Sequence, residues 1–426
     1  MLKNYFIDKE KISFINLVLL CVLIFVLPIA HTATIRSVAM FTPMLLLFGR
    51  YFIAKDFKWI KTSFELPFFA FFLMAIISIF TSVDRHETVK EIWGELIVPI
   101  LLFYTTYYAI ENKNHAFILL KALFIGSLVF SLYSFYDFYQ HGGKFFTVVY
   151  KAGGLRDPGG GEVAALYHTM VIPFIFWALF YWENTKEKIL LFFIFLINLV
   201  AFHITFVRAG MLALAFQTVF IIGILLREKK WILSIFLAII LIFTVHLYVE
   251  KKMLRELHNE KIPSIKDYIK MSPEEIAGTN PSSMKQRLAM WKTAIEKIAE
   301  NPFYPHGYGR FLFGKTVRNE KNKHFIYPQT HNTFIGITFE LGIQGLVVFL
   351  WIIGKFFFVC CKYWYKYKQS IVKYLSVSLI TMMIGYWINN FFGSFDGDDS
   401  KLLFMMLLGI GMAIMHKTLK EKEFKC

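Results

Sequence analysis

The chain has 426 residues, 57% of them hydrophobic and only 18% charged, with a mean hydropathy of +0.52. A soluble domain carries about 25% charged and about 45–50% apolar residues, so a water-soluble multi-domain enzyme is excluded. The net charge of +16 would point to nucleic acid in a soluble protein. In a membrane protein it has a topological reading, because Lys and Arg gather in cytoplasmic loops.

A spanning helix needs about 20 apolar residues, so about twelve would use about 240, close to the apolar share of the chain. Continuous runs such as Ile232–Val245 also argue against a transmembrane barrel, whose strands alternate. The expected class is an all-α polytopic membrane protein. The runs predict spans at 14–30, 36–53, 66–82, 92–110, 117–137, 163–182, 188–206, 209–226, 231–248, 333–358, 371–391 and 401–417. Lys9 and Lys11 before the first run resemble a signal peptide. The apolar pattern then repeats along the whole chain, so the first run reads as a span rather than a cleaved leader. Lys-rich short loops alternate with loops poor in Lys and Arg, which places both termini inside. Cys21, Cys360, Cys361 and Cys426 form no ligand spacing and no disulfide framework.

Two outer segments break the pattern. Residues 138–162 are glycine-rich and include Pro158-Gly-Gly-Gly161. Residues 249–332 form a large outer loop, between an N-terminal bundle (1–248, about nine helices) and the C-terminal spans and tail (333–426). Residues 250–330 hold 15 Lys or Arg against 9 Asp or Glu. Long loops translocate regardless of charge, so this excess calls for an anionic partner outside the membrane. Within the loop, Ser283-x-x-Gln286 is a capping-box pattern. Met284, Leu288, Trp291, Ile295 and Ile298 follow at helical spacing, and Asn301-Pro302 closes the run. This predicts an amphipathic helix at the membrane surface or against the bundle, with Arg287 bordering its apolar face.

Several residues are candidates for chemistry. Arg208 sits between two spans at an outer boundary, as a functional cation or a snorkelling anchor. His331 closes the large loop, as a reactive imidazole or as half of a helix-capping pair with Asn332. Ile335, Thr338, Gly342 and Gly345 continue on the His331 face at spacings of three and four. Glycines there let another helix approach closely. Glu340 lies about half a turn away and must face protein. Gly307-Tyr308-Gly309-Arg310 is either a phosphate-cradling loop or an ordinary turn. Arg156 is a secondary phosphate candidate. Asp396, Asp398 and Asp399 read as a solvated turn rather than a metal site. Discontinuous helices in matched halves, the mark of a transporter, are not evident.

Together these residues resemble the O-antigen ligase family, within the wider group of bacterial O-antigen ligases, polymerases and O-oligosaccharyltransferases. His331-Asn332, nine residues, then Gly342-Ile-Gln-Gly345 is similar to that family's pattern at the end of its large periplasmic loop. Arg208 matches its mid-chain arginine and Arg287, in Gln286-Arg-Leu-Ala-Met-Trp291, its loop arginine. Gly307-Tyr-Gly309 sits where relatives carry a similar turn. Related proteins often have an Asn motif in the earlier outer loop, where this chain has Asp157-Pro-Gly-Gly-Gly161. No repeated Arg and Gly pair of the polymerase kind is found, which favours a ligase.

The resemblance implies a GT-C-like, inverting glycosyltransferase of the inner membrane that needs no metal, cofactor or nucleotide sugar. The donor would be a glycan on undecaprenyl diphosphate and the acceptor a hydroxyl of lipid A–core. His331, Arg208 and Arg287 would be catalytic. Arg156, Asn332, Gly307, Tyr308, Gly309 and Arg310 would bind substrate. The alternatives are an O-antigen polymerase or a protein O-oligosaccharyltransferase using the same donor and, from a different class, a transporter or flippase.

Overall fold

The computed structural model describes residues 9–50, 62–145, 150–154, 161–257, 283–320, 329–367, 371–393 and 399–423. Among them are fifteen α-helices, one π-helical turn and no extended strand. In chain order these are α1 (Lys9–Val26), α2 (Ala33–Gly49), α3 (Glu65–Ser78), α4 (Arg85–Glu91), the π turn (Ile92–Ile97), α5 (Val98–Ala109), α6 (Lys113–Gln140), α7 (Glu162–Tyr181) and α8 (Thr185–His203). They continue with α9 (Arg208–Arg227), α10 (Trp231–Leu257), α11 (Ser283–Glu300), α12 (Leu312–Glu320), α13 (Thr333–Lys366), α14 (Ile371–Phe391) and α15 (Asp399–Glu423).

A helix stands at each of the twelve expected spans. Among the described residues, seven segments are long and apolar enough to cross a membrane: Arg85–Ala109, Lys113–Gln140, Glu162–Tyr181, Arg208–Arg227, Thr333–Lys366, Ile371–Phe391 and Asp399–Lys417. The chain is therefore a polytopic helical membrane protein. Arg156, Asp396 and Asp398 lie outside the described residues, as does 258–282 of the large loop. Asp399 is taken up by an ion pair with Arg36.

The bundle is organised around α7, buried at every residue from Ala164 to Ala178. It packs against α8 and α14, and α14 in turn packs against α9 and α13. Pro173 lies inside α7. Proline has no N–H, so the Thr169 carbonyl one turn earlier loses its helical partner. Gln217 of α9 replaces it. Its Nε2 donates to the Thr169 carbonyl (2.7 Å) and to the Thr381 carbonyl of α14 (2.9 Å). Gly385 makes room, since a Cβ there would fall 2.1 Å from Gln217 Nε2. In lipid a backbone carbonyl has no water to turn to, so one side chain both satisfies a proline break and joins three helices. A second polar link joins α7 to α8 and α6. His168 Nδ1 meets Asn198 Oδ1 at 3.1 Å, and Asn198 Nδ2 donates to Ser127 Oγ at 3.2 Å.

The structure corrects the sequence reading of α13. Its glycines do not line one continuous face for a neighbouring helix. Gly342 has φ 75° and ψ 176°, so the helix breaks there. Only glycine enters that region without a Cβ penalty. A Cβ at Gly342 would fall 2.5 Å from its own Gln344 side chain, and one at Gly345 would fall 2.2 Å from Leu341 Cβ. Both glycines answer to their own chain.

The break frees backbone groups that a helix would pair, and the segment 302–309 takes up several of them. His306 N donates to the Phe339 carbonyl (3.3 Å) and Gly307 N to the Glu340 carbonyl (3.1 Å), while Ile343 N donates to the Pro302 carbonyl (2.9 Å). Gln344 Nε2 bridges the Leu341 carbonyl (2.8 Å) and the Phe303 carbonyl (3.0 Å).

Gly342→Ala forces a left-handed residue with a Cβ into this clasp. It is expected to lower the unfolding midpoint of the purified protein in detergent, at a cost of about 1–3 kcal/mol for the conformation alone. Gly354→Ala, at a helical position with nothing within 4 Å of its Cβ, serves as the control. An unchanged midpoint in Gly342→Ala would show that the break is not constrained.

Candidate functional site

The amphipathic helix forms as expected, and it lies against the bundle. Met290 and Ala294 of α11 are buried with Phe313, Val317 and Phe339, and Trp291, Ile298 and Ile335 pack around them. The buried stripe is rotated from the expected one, since Ile295 is 53% exposed. Trp291 fixes the helix. Its Nε1 donates to the Thr330 carbonyl (3.0 Å), and its ring lies edge-on to Phe391 with centroids 5.9 Å apart. Arg287 is one turn earlier on the same helix, so this anchor sets it beside the residue after Thr330, which is His331.

His331 has φ 49°, in the left-handed region, where His is more tolerated than most non-glycine residues. The kink turns the chain into α13. Asn332 then caps α13, its Oδ1 accepting from Phe334 N and Ile335 N at 3.0 Å each. Asn332 is buried and its side chain is committed to the cap. The capping half of the His-Asn alternative therefore belongs to Asn332 alone. The His331 side chain makes no cap and meets the Gln329 amide at 3.4 Å.

Arg287 brings in a third element. Its Nη2 lies 3.6 Å from Glu162 Oε1 at the first residue of α7, with side-chain exposures of 19% and 66%. Both charges reach His331. Burial lowers the His331 pKa from its ordinary 6.5, Arg287 lowers it further, and Glu162 partly opposes them. The imidazole is therefore neutral at neutral pH. Arg208 is the first residue of α9 and is exposed. The preceding turn, with Phe206 at φ 53°, packs onto the start of α7. A Cβ at Gly161 would fall 2.9 Å from the Thr205 carbonyl and 3.3 Å from Val207 Cγ2. The starts of α7 and α9 thus abut, placing Arg208 and the Glu162–Arg287 pair at one end of the bundle.

The glycine turn has another place. Gly307 N goes to the Glu340 carbonyl, Tyr308 N to Ser78 Oγ (2.9 Å) and Gly309 N to Glu340 Oε2 (3.1 Å). All three amides are used within the protein, which is the geometry of an ordinary turn rather than of a phosphate cradle. Glycine is required by φ 108° and 143° at Gly307 and Gly309. The Arg310 guanidinium lies 4.4 Å from the centre of the Phe311 ring. Glu162 was missed in the sequence, although it directly follows the Gly-Gly-Gly run and opens a long apolar helix.

These features define a helical membrane protein with two arginines, a carboxylate and a neutral histidine gathered where its helices end. Residues 193–350 match a family model described as O-Antigen ligase. Arg208, Arg287 and His331 all fall inside that match, so the resemblance read from them has independent support. A stretch of 89 residues is 33% identical to a protein of Rickettsia typhi named as a polysaccharide ligase, covering 20% of this chain and 22% of that one. The chain thus matches about a fifth of that relative's length.

Asn332→Ala removes a cap that serves two amides. It is expected to cost about 0.5–2 kcal/mol of stability, with Asn332→Asp close to wild type. Thermal unfolding in detergent measures both. Equal midpoints for Ala and wild type would remove the cap from the account.

Proposed function

We propose that the chain is an O-antigen ligase. It transfers polysaccharide from undecaprenyl diphosphate to a sugar hydroxyl of lipid A–core, at the periplasmic face of a bacterial inner membrane, and so completes lipopolysaccharide. The observation that carries this reading is the meeting of Arg287, from the large loop, with His331 at the helix end where Arg208 begins α9.

A diphosphate leaving group bears strong negative charge. Arginine offers fixed bidentate donors that stay protonated, and Arg208 and Arg287 hold the diphosphate and offset its charge as the glycosidic bond breaks. The acceptor oxygen attacks the anomeric carbon from the opposite side. The carbon–oxygen bond to phosphate breaks and its electron pair leaves with the diphosphate. The hydroxyl proton passes to His331, whose neutral imidazole has one unprotonated nitrogen that would take it in place of the 3.4 Å contact with the Gln329 amide. The lysines near the opposite end of the bundle, such as Lys230 and Lys373 around Glu228, support an orientation with that end cytoplasmic.

His331→Ala and Arg208→Ala are expected to leave a folded, inserted protein and core-only lipopolysaccharide on gels of a complemented deletion strain. Loss of an arginine donor should cost about 10²–10³-fold in transfer rate. Normal O-antigen attachment in either variant would remove that residue from the mechanism. Accumulation of long lipid-linked glycan in the deletion strain marks a ligase, whereas single attached repeats would mark a polymerase.

The acid limb of kcat/KM reports the base. A pKa held below 6.5 keeps His331 unprotonated through neutrality. The midpoint of that limb should therefore lie below pH 6.5, with activity lost as the pH falls through it. A limb lying above 6.5 would assign the proton acceptor elsewhere.

A further inference from the structure

We propose that Glu162 is the exchangeable counter-ion of Arg287: it holds the guanidinium in the empty site and gives it up to the diphosphate of the donor. The proposal rests on the reading of Arg287 as a diphosphate ligand. It adds a positioning residue that the sequence did not single out and that lies outside the family match at 193–350.

Three observations carry it. The first is the geometry of the pair. Arg287 is largely covered at 19% exposure while Glu162 is two-thirds exposed, and they approach only to 3.6 Å. A long contact to an open carboxylate is a weak one, and the carboxylate can swing into solvent without disturbing packing. The second is that the backbone beneath Glu162 is fixed. Gly161 has φ 61° and is wedged against the Thr205 carbonyl and Val207, and α7 is buried from Ala164 onward. The carboxylate is therefore presented from a rigid base, and only its side chain needs to move. The third is charge. Arg208 and Arg287 both stand at the end where α7 and α9 begin, and helix starts carry partial positive charge. Glu162 is the carboxylate paired with this group, and an incoming diphosphate competes with it for Arg287. A merely structural salt bridge would instead be kept when the donor binds.

The test is direct binding of inorganic pyrophosphate to the purified full-length protein in detergent, measured by calorimetry at low salt. Removing a competing counter-ion strengthens anion binding, so Glu162→Gln should bind pyrophosphate about two- to fivefold more tightly than wild type. Glu162→Asp should stay near wild type. Glu296→Gln, on the exposed side of α11, corrects for the change in net charge. Arg287→Gln should bind more weakly, and adding Glu162→Gln to it should give no gain beyond the Glu296→Gln control. Binding by Glu162→Gln that is unchanged or weaker, while Arg287→Gln still weakens it, overturns the exchange and leaves the diphosphate site intact. If Arg287→Gln binds as well as wild type, the reading of the site itself fails, and the inference falls with it.

Discussion

The break in α13 at Gly342 is the constraint on which the arrangement depends. A helix interrupted inside the bundle leaves carbonyl and amide groups that lipid cannot satisfy. Here the partners come from the outer loop: Pro302, Phe303, His306 and Gly307 supply a donor or acceptor to the broken turn. Glu340, costly in a membrane without a partner, accepts from the Gly309 amide. The large loop is thus stitched to a spanning helix by backbone chemistry. The stitch begins just after α11 ends, and α13 begins just after His331. Fixing one junction fixes the relation between Arg287 and His331, two residues far apart in the chain.

The same economy appears in the bundle core. Pro173 opens a gap in α7 and Gln217 closes it while reaching α14. Each defect in a helix becomes a point of attachment, because the freed group must be paired by some other element. This holds α7 still, and α7 carries the Gly161–Glu162 corner at its start. Rigidity in the membrane is in this way passed to the polar end, where Glu162 meets Arg287.

Much of this was legible in the sequence. Apolar runs located the helices because lipid demands length and composition that soluble helices do not need. His331, Arg208 and Arg287 were legible because isolated polar residues at membrane boundaries carry a cost that calls for a reason. Gly342 was misread. Spacing of three and four presumes an unbroken helix, and nothing in that rule distinguishes a glycine used for close approach from one used for a left-handed turn. The neighbouring Glu340 was the available signal, since a buried carboxylate needs donors and a broken helix invites a loop that brings them. The rotated face of α11 escaped for a related reason. Periodicity gives a stripe several residues wide, and the Trp291 bond to Thr330, invisible in a pattern of apolar residues, selects which edge is buried. Glu162 escaped because an acidic residue in the first turn of a helix is ordinary, favoured by the helix dipole whatever it faces.

The electrostatics of the helix end follow from how the elements meet. Three helices, α7, α9 and α13, start there, each with the partial positive charge of its unpaired amides. Asn332 quiets two of these amides in α13, and Glu162 stands at the start of α7. Arg208 and Arg287 add full charges to a region already positive. Such a field favours an anion over any other ligand, and it also works on the histidine. A cationic setting and burial both favour the neutral imidazole, which is why Arg287 and His331 suit one another. The arginine that would hold a diphosphate also disfavours a proton on the His331 ring. On the proposed function, a bound diphosphate would offset Arg287 and so make the imidazolium easier to form. His331 would then be a poorer base before the donor binds than with the leaving group in place.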